Sequence, residues 1–200
     1  LEGSKEFMKN FLTRNQIPTA AYKSFNDLKL ALEYLEKCSY PIVVKADGLA
    51  AGKGVTVAQT HSEAEKAVRE CLEEKTFGEA GTKVVVEEFL RGEEASFIVL
   101  TDGHTILPLA SSQDHKTRDN QDKGPNTGGM GAYSPAPVVT PEIHQKIMDQ
   151  VINPTLAGLA KEGVNYCGFL YAGLMIDQEQ NVKVLEFNCR FGDPETQPIL

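Results

Sequence analysis

Apolar residues in the first part of the chain recur at helical spacing. Residues 4–15 are predicted to form a helix with Ser4 as its cap and Phe7, Phe11 and Leu12 on one face. Asn15 to Pro18 interrupts it. A second helix fits 26–37, with Leu28, Leu32 and Leu35 along its apolar side. The period then shortens. Ile42, Val43 and Val44 make a β-branched run, so 40–46 reads as a strand, and Val55-Thr56-Val57 resumes as another after a glycine-rich loop at 48–54. Thr60 with Glu63 three residues on is a capping-box pattern that opens a helix to about residue 75. Residues 83–89 read as a strand, and 95–100 with 105–109 as a hairpin turning at 101–104. Thr140 followed by Pro141 starts a helix expected to run to about 161. Residues 169–176 and 183–187 close the chain as two strands around a turn at 177–181.

Between these elements, 111–137 has no apolar period and is dense in Gly, Pro, Asn and Asp. It is expected to be a long irregular loop, and such a loop inside a compact domain is usually functional or disordered. Adjacent strands connect mainly through hairpins, which points to an α+β fold. Two lobes are expected, a smaller one over about 17–87 and a larger one over 88–200 that includes the amino-terminal helix.

Composition narrows the functions. A formal net charge of −8 repels phosphate backbones, which argues against nucleic-acid binding. A polyanion would have to be met in a locally basic cleft. The 17 glycines cluster, which suggests loops where backbone approaches a ligand. The cysteines, Cys38, Cys71, Cys167 and Cys189, have no zinc or redox spacing; Cys71 and Cys167 read as small core residues. A reducing, cytoplasmic compartment is expected. No apolar run reaches the roughly 18 residues of a membrane span, and no signal peptide is visible. The missing initiator Met and the abrupt end lead to the expectation that the chain belongs to a longer polypeptide.

Three stretches carry candidate chemistry. In the first, Lys45-Ala46-Asp47-Gly48-Leu49-Ala50-Ala51-Gly52-Lys53-Gly54, small residues let consecutive N–H groups approach phosphate oxygens, and Lys45 and Lys53 add positive charge. The spacing is not that of a Walker A loop, and the loop joins two strands. Taken alone, it also fits a flexible hairpin with two surface lysines. In the second, the apolar strand 84–86 runs into Glu87-Glu88-Phe89-Leu90 and then Glu93-Glu94. Its backbone edge could read adenine and a carboxylate could hold ribose hydroxyls, but by itself it reads better as an acidic turn. In the third, Glu186 and Asn188 fall on one strand face, with Arg190 after them if the strand persists, and with Leu185 and Phe187 on the apolar face. A carboxylate beside an amide oxygen suits Mg²⁺ bound to nucleotide phosphates, and a guanidinium suits a phosphoryl group in transfer. The alternative is an edge strand showing polar groups to water. His115 alone is weak evidence, because no Ser–His–Asp set or His–Glu metal spacing accompanies it.

Together these stretches resemble the ATP-grasp superfamily. Within it, KADGLAAGKGV at 45–55, QDHK at 113–116, GPNTGGMGAYSPAP at 124–137 and LEFNCRFGDPE at 185–195 are similar to the phosphoribosylamine–glycine ligase family, and the likeness spans essentially the whole chain. The resemblance implies two α+β lobes gripping ATP between them. It implies that ATP phosphorylates the glycine carboxylate and that 5-phosphoribosylamine attacks the resulting acyl phosphate. On this resemblance Lys5 and Lys45 contact ATP phosphates, and the loop bearing Gly48, Gly52, Lys53 and Gly54 closes over them. Glu87 and the backbone of Phe89 and Leu90 hold adenine, Glu88 counts among the nucleotide-binding residues, and Glu94 holds the ribose. Glu186 and Asn188 ligate Mg²⁺, or Mn²⁺ in its place, and Arg190 stabilises the transferred group. Asp114, Asn126 and Asp193 line the phosphate and substrate side.

The sequence departs from the wider superfamily in one place. The strand Tyr171-Ala172-Gly173-Leu174-Met175 lacks the acidic metal ligand that many members carry there. The resemblance also implies flanking domains before residue 1 and after residue 200. Two other readings remain open: a bicarbonate-using ligase of the same superfamily, and a non-catalytic nucleotide-binding module.

Overall fold

The structure is a computed structural model, and it describes residues 1–50, 54–120 and 123–200. The chain divides into two compact units. The smaller comprises Glu2–Lys9 and Ala20–Leu90; the larger comprises Leu1, Asn10–Thr19 and Arg91–Leu200. Helix α1, Lys5–Arg14, contributes its first half to the smaller unit and its second half to the larger. Its cap is Ser4, whose Oγ accepts from the Phe7 N–H at 3.1 Å. The buried face is Met8, Phe11 and Leu12, at i, i+3 and i+4, while Phe7 is exposed, so Met8 replaces Phe7 in the expected face.

In the smaller unit β1 (Tyr22–Phe25), β2 (Ile42–Ala46), β3 (Val55–Ala58) and β4 (Val84–Glu88) form an antiparallel sheet in the order β1-β4-β2-β3. β1 is absent from the sequence reading: it is four residues long and its YKSF alternates too briefly to give a period. Alternation turns Ile42, Val44, Ala46, Val84 and Val86 into a core with Phe25, Ala31 and Leu35. Helices α2 (Leu28–Leu35) and α3 (His61–Leu72) bury Ala31, Leu35, Ala64, Ala67, Val68 and Cys71. Asp27 caps α2 by accepting from the Leu30 N–H at 2.9 Å. Thr60 caps α3 at Glu63 N (3.3 Å), while the Glu63 carboxylate returns to Gln59 N (2.8 Å), one residue earlier than a standard capping box.

In the larger unit β5 (Glu93–Thr101), β6 (Ile106–Pro108), β11 (Gly168–Ile176) and β12 (Val182–Asn188) form an antiparallel sheet in the order β12-β11-β5-β6. The 111–137 segment is not irregular throughout. It holds two short antiparallel pairs, β7 (Gln113–Asp114) with β10 (Ala132–Tyr133) and β8 (Thr117–Asp119) with β9 (Lys123–Asn126). Strands of two to four residues leave no readable period. The helix expected over 140–161 divides into α4 (Pro141–Ile147), a π-helical segment Met148–Ile152 and α5 (Asn153–Lys161). Pro154 has no N–H to donate one turn back, and the backbone widens just before it. A short helix, α6 (Thr196–Ile199), follows β12. Phe97, Leu170, Ile143, Ile147 and Phe187 are among the buried residues of this unit.

All four cysteines are free. Burial pushes the Cys71 thiol up to about 11, in keeping with a core residue. Cys167 is exposed instead: it lies just before β11, where its Sγ donates to Asp102 O (3.0 Å). No helix among the described residues is long and apolar enough to cross a membrane.

Candidate functional site

Antiparallel register brings the first set of residues together. On β2 and β4, Val43 pairs with Glu87 and Lys45 with Val85, so Lys45 and Glu87 are diagonal neighbours on one face. Glu87 is 3% exposed, and its Oε2 lies 3.1 Å from Lys45 Nζ and 2.9 Å from Lys9 Nζ. Two ammonium groups thus share one carboxylate oxygen, and the other, Oε1, has no hydrogen-bond partner among the described residues. Lys9 is wholly buried, with Ala20 O at 3.5 Å and the Tyr22 ring centroid at 5.7 Å. Burial lowers Lys9 to about 8, Glu87 opposes that shift, and Lys45 adds to it. The sequence reading gave Glu87 to adenine; in the structure one of its two carboxylate oxygens is engaged by the two lysines. Lys9 was missed. Its signal was its place on α1, three residues before buried Leu12 and next to buried Met8, on the apolar side of an amphipathic helix.

The start of the glycine-rich loop is tied down from several directions. Lys5 Nζ donates to Gly48 O (3.0 Å) and Lys5 N to Asp47 O (3.0 Å). The Asp47 carboxylate accepts from Ser4 Oγ and from Glu6 N (2.7 Å). Asp47 N and Gly48 N donate to Lys83 O and Ala80 O. A Cβ on Gly48 would sit 2.7 Å from Ala80 Cα, and one on Gly54 would sit 2.7 Å from Ala50 Cβ. Both glycines are therefore required by packing within the protein. Gly52 and Lys53 lie outside the described residues. At the end of β4, exposed Glu88 accepts from Ala21 N (3.0 Å); just after the strand, Phe89 is half-buried and Leu90 is 9% exposed.

The second set lies in the larger unit. β12 pairs with β11 through Tyr171↔Asn188 and Gly173↔Glu186, and then the register shifts between Gly173 and Leu174. This bulge makes Leu185 an extra residue. Val182, Val184 and Phe187 all reach the core, while Glu186 and Asn188 stay half-buried on the other side. Leu185, expected on the Phe187 face, is half-buried at the bulge. A Cβ on Gly173 would meet Glu186 Cγ at 3.3 Å, so a larger side chain there would press on this carboxylate. The strand ends at Asn188, yet Arg190 folds back: Nη1 donates to Phe191 O (2.9 Å) and Nη2 to Asn188 Oδ1 (3.4 Å).

A further polar cluster lies in the same unit. Lys116 Nζ is 2.8 Å from Glu94 Oε2 and 4.0 Å from Asp114 Oδ1. Burial works against the Lys116 charge, but Glu94 and Asp114 outweigh it and hold the ammonium protonated above the usual lysine range. Burial raises the Asp114 carboxyl, Lys116 opposes this, and Glu195 and Glu94 add to it. Glu195 is 2% exposed; its Oε1 accepts from Tyr171 Oη (2.6 Å) and Ser96 Oγ (3.2 Å). Burial also raises the Tyr171 phenol far above its ordinary value. Sequence reasoning found Glu94 and Asp114 but missed Lys116, Tyr171 and Glu195 as partners. Asp193 is exposed, and the side chain of Asn126 lies outside the described parts. The His115 ring lies tilted against the Tyr133 ring, with centroids 5.6 Å apart.

A family model described as the phosphoribosylglycinamide synthetase ATP-grasp (A) domain matches residues 3–196. The phosphoribosylamine–glycine ligase of Vibrio vulnificus is 66% identical over 200 residues, all of this chain and 47% of that protein. That of Pseudomonas aeruginosa is 64% identical over the same share. The crystal structure of phosphoribosylamine–glycine ligase from Thermotoga maritima has a TM-score of 0.91 at 37% identity, covering 99% of this chain and 50% of that one. The chain thus spans about half the length of the relatives it matches. With a family model covering nearly all of it, the α+β chain belongs to the ATP-grasp (A) domain family of phosphoribosylglycinamide synthetase.

Proposed function

We propose that this chain is the nucleotide-handling part of a phosphoribosylamine–glycine ligase of purine biosynthesis. A glycine carboxylate oxygen attacks the γ-phosphorus of ATP; the new P–O bond forms as the bond to ADP breaks. The amine of 5-phosphoribosylamine then attacks the acyl carbon. A C–N bond forms, phosphate leaves with the C–O bond pair, and the amine gives up a proton. Little side-chain acid–base chemistry is needed, so positioning and charge neutralisation carry the rate.

The observation that carries this reading is the polar face at the end of β12. A carboxylate, an amide oxygen and a guanidinium follow one another at Glu186, Asn188 and Arg190, with Arg190 held against Asn188. The high identity to named ligases supports the substrate choice. Lys45 and Lys5 face phosphate oxygens, the backbone of Phe89 and Leu90 meets adenine with Glu88 beside it, and Glu94 meets the ribose. Glu87 contributes through Lys45. Asp114, Asn126 and Asp193 line the substrate side.

Mg²⁺ fits the donors on β12. Among the described residues no three His, Cys, Asp or Glu side chains converge, so Glu186 and Asn188 would be completed by phosphate oxygens and water, which Mg²⁺ retains readily. Mn²⁺ accepts the same oxygen set. The ion would neutralise phosphate charge; Arg190 would hold the transferred group. Flanking domains of the kind the relatives carry would complete the glycine and phosphoribosylamine sites. The four free cysteines agree with a cytoplasmic setting.

The test is ADP release by the chain joined to such flanking domains, with MgATP and phosphoribosylamine, comparing glycine with bicarbonate. Release that requires glycine is expected. Release with bicarbonate alone would overturn the substrate. Glu186→Gln should retain most nucleotide binding and abolish release; undiminished release would remove Glu186 from the metal site.

A further inference from the structure

Lys9 is the one member of the Lys9–Glu87–Lys45 set that no ligand can reach, because its side chain is 0% exposed; the Lys45 side chain is 10% exposed. The three formal charges leave one positive charge in excess. Glu87 binds both ammonium groups through the same oxygen, and its Oε1 has no other donor among the described residues. The carboxylate therefore divides its attraction between two lysines. Without Lys9, Glu87 and Lys45 would close into a neutral buried pair, in which the low dielectric strengthens their mutual attraction and leaves little charge for an external anion.

We propose that Lys9 is a positioning residue for nucleotide binding: by holding Glu87 from the buried side, it keeps the Lys45 ammonium from being neutralised and directs the excess positive charge of the set toward phosphate. This rests on the reading that Lys45 meets nucleotide phosphate. Lys9 touches no substrate and acts only through Glu87.

Among the charged groups that bear on Lys9 are Glu87 and Glu88 on β4 and Lys45 on β2, and Tyr22 on β1 presents its ring. With burial holding Lys9 near 8, its charge is present below that pH and is lost as pH rises through it. The effect on phosphate binding should follow the same course.

The experiment measures the Kd for MgATP, by competition with a fluorescent ATP analogue, in the chain joined to flanking domains such as those proposed above. Lys9→Met is expected to weaken binding about tenfold or more, the scale of one charge-assisted contact. The double variant Lys9→Met/Glu87→Gln removes one charge of each sign, restores the single excess, and should bind MgATP more tightly than Lys9→Met. Wild-type affinity should fall between about pH 7 and 9, while the double variant stays flat. A purely structural Lys9 could also be relieved by neutralising Glu87, so the pH dependence of wild-type affinity is the readout that a structural role would not move. A soluble Lys9→Met that binds like wild type, or a folded double variant as weak as the single, overturns the proposal. Should Lys9→Met fail to fold, the wild-type pH profile decides, and a flat one overturns it. A wild-type protein that binds no MgATP at any pH refutes the nucleotide reading itself, and the proposal falls with it.

Discussion

Two adjacent glycines in 124–137 show how far a single residue's environment can differ from its neighbour's. Gly129 has φ +124°, and a Cβ there would lie 2.4 Å from Pro194 Cδ; Gly128 has nothing within 4 Å. Gly129→Ala is therefore expected to lower stability by about 1–3 kcal/mol, combining backbone strain and contact, whereas Gly128→Ala should stay within about 0.5 kcal/mol. Urea denaturation of both variants checks this, and equal effects would refute it. The sequence marks the stretch as glycine-dense but cannot say which glycine is obligatory, since the neighbour that makes it so, Pro194, is 65 residues away. The same limit explains Glu87 and Lys9. Glu186 and Asn188 are legible because two residues on one strand share a face by alternation alone. The Glu87–Lys9 contact is not legible because the partner on α1 is set by tertiary packing, and a lysine next to an apolar stripe is ordinarily read as a solvated flank.

Most elements were legible, and those that were missed or altered have local causes. α2, α3, β2, β4 and the β5–β6 hairpin follow from period and caps. β1 and the pairs β7–β10 and β8–β9 are too short to carry a period, and the π-helical segment before Pro154 cannot be read from an apolar pattern that continues through it. The bulge in β12 is the most consequential departure. Apolar spacing of two from Val182 to Val184 becomes three to Phe187, which a regular strand cannot bury on one face. Adding Leu185 as an extra residue resolves the conflict and leaves Glu186 and Asn188 outside the core. In a regular strand Leu185 and Phe187 would share a face and cost alike when truncated. With the bulge, Phe187→Ala, at a side chain 2% exposed, should cost about 3–5 kcal/mol, and Leu185→Ala about 1 kcal/mol or less. Near-equal losses would contradict the bulged register.

At the scale of the whole chain, nucleotide binding and ligation should separate. The groups proposed to meet phosphate, Lys5, Lys45 and Arg190, and those proposed to hold a divalent ion, Glu186 and Asn188, are all within these 200 residues. The relatives are about twice as long, and ligation must also hold glycine and phosphoribosylamine in line with the γ-phosphate, where a misplacement of about 1 Å can cost a hundredfold in rate. Binding of MgATP needs only one ligand's contacts and tolerates looser geometry. The 200-residue chain alone is therefore expected to bind MgATP weakly and to release little or no ADP in the presence of glycine and phosphoribosylamine. Bound nucleotide should still raise its melting temperature, because a ligand at about 100 times its Kd adds roughly 2.7 kcal/mol of stability. That shift should require the divalent ion and be reduced in Lys45→Met, whose loss removes positive charge from an otherwise acidic chain of net charge −8. Full turnover by the chain alone would show that the substrate site lies wholly within it. A chain that melts cooperatively with no shift at any MgATP concentration would show that nucleotide binding also depends on the flanking domains.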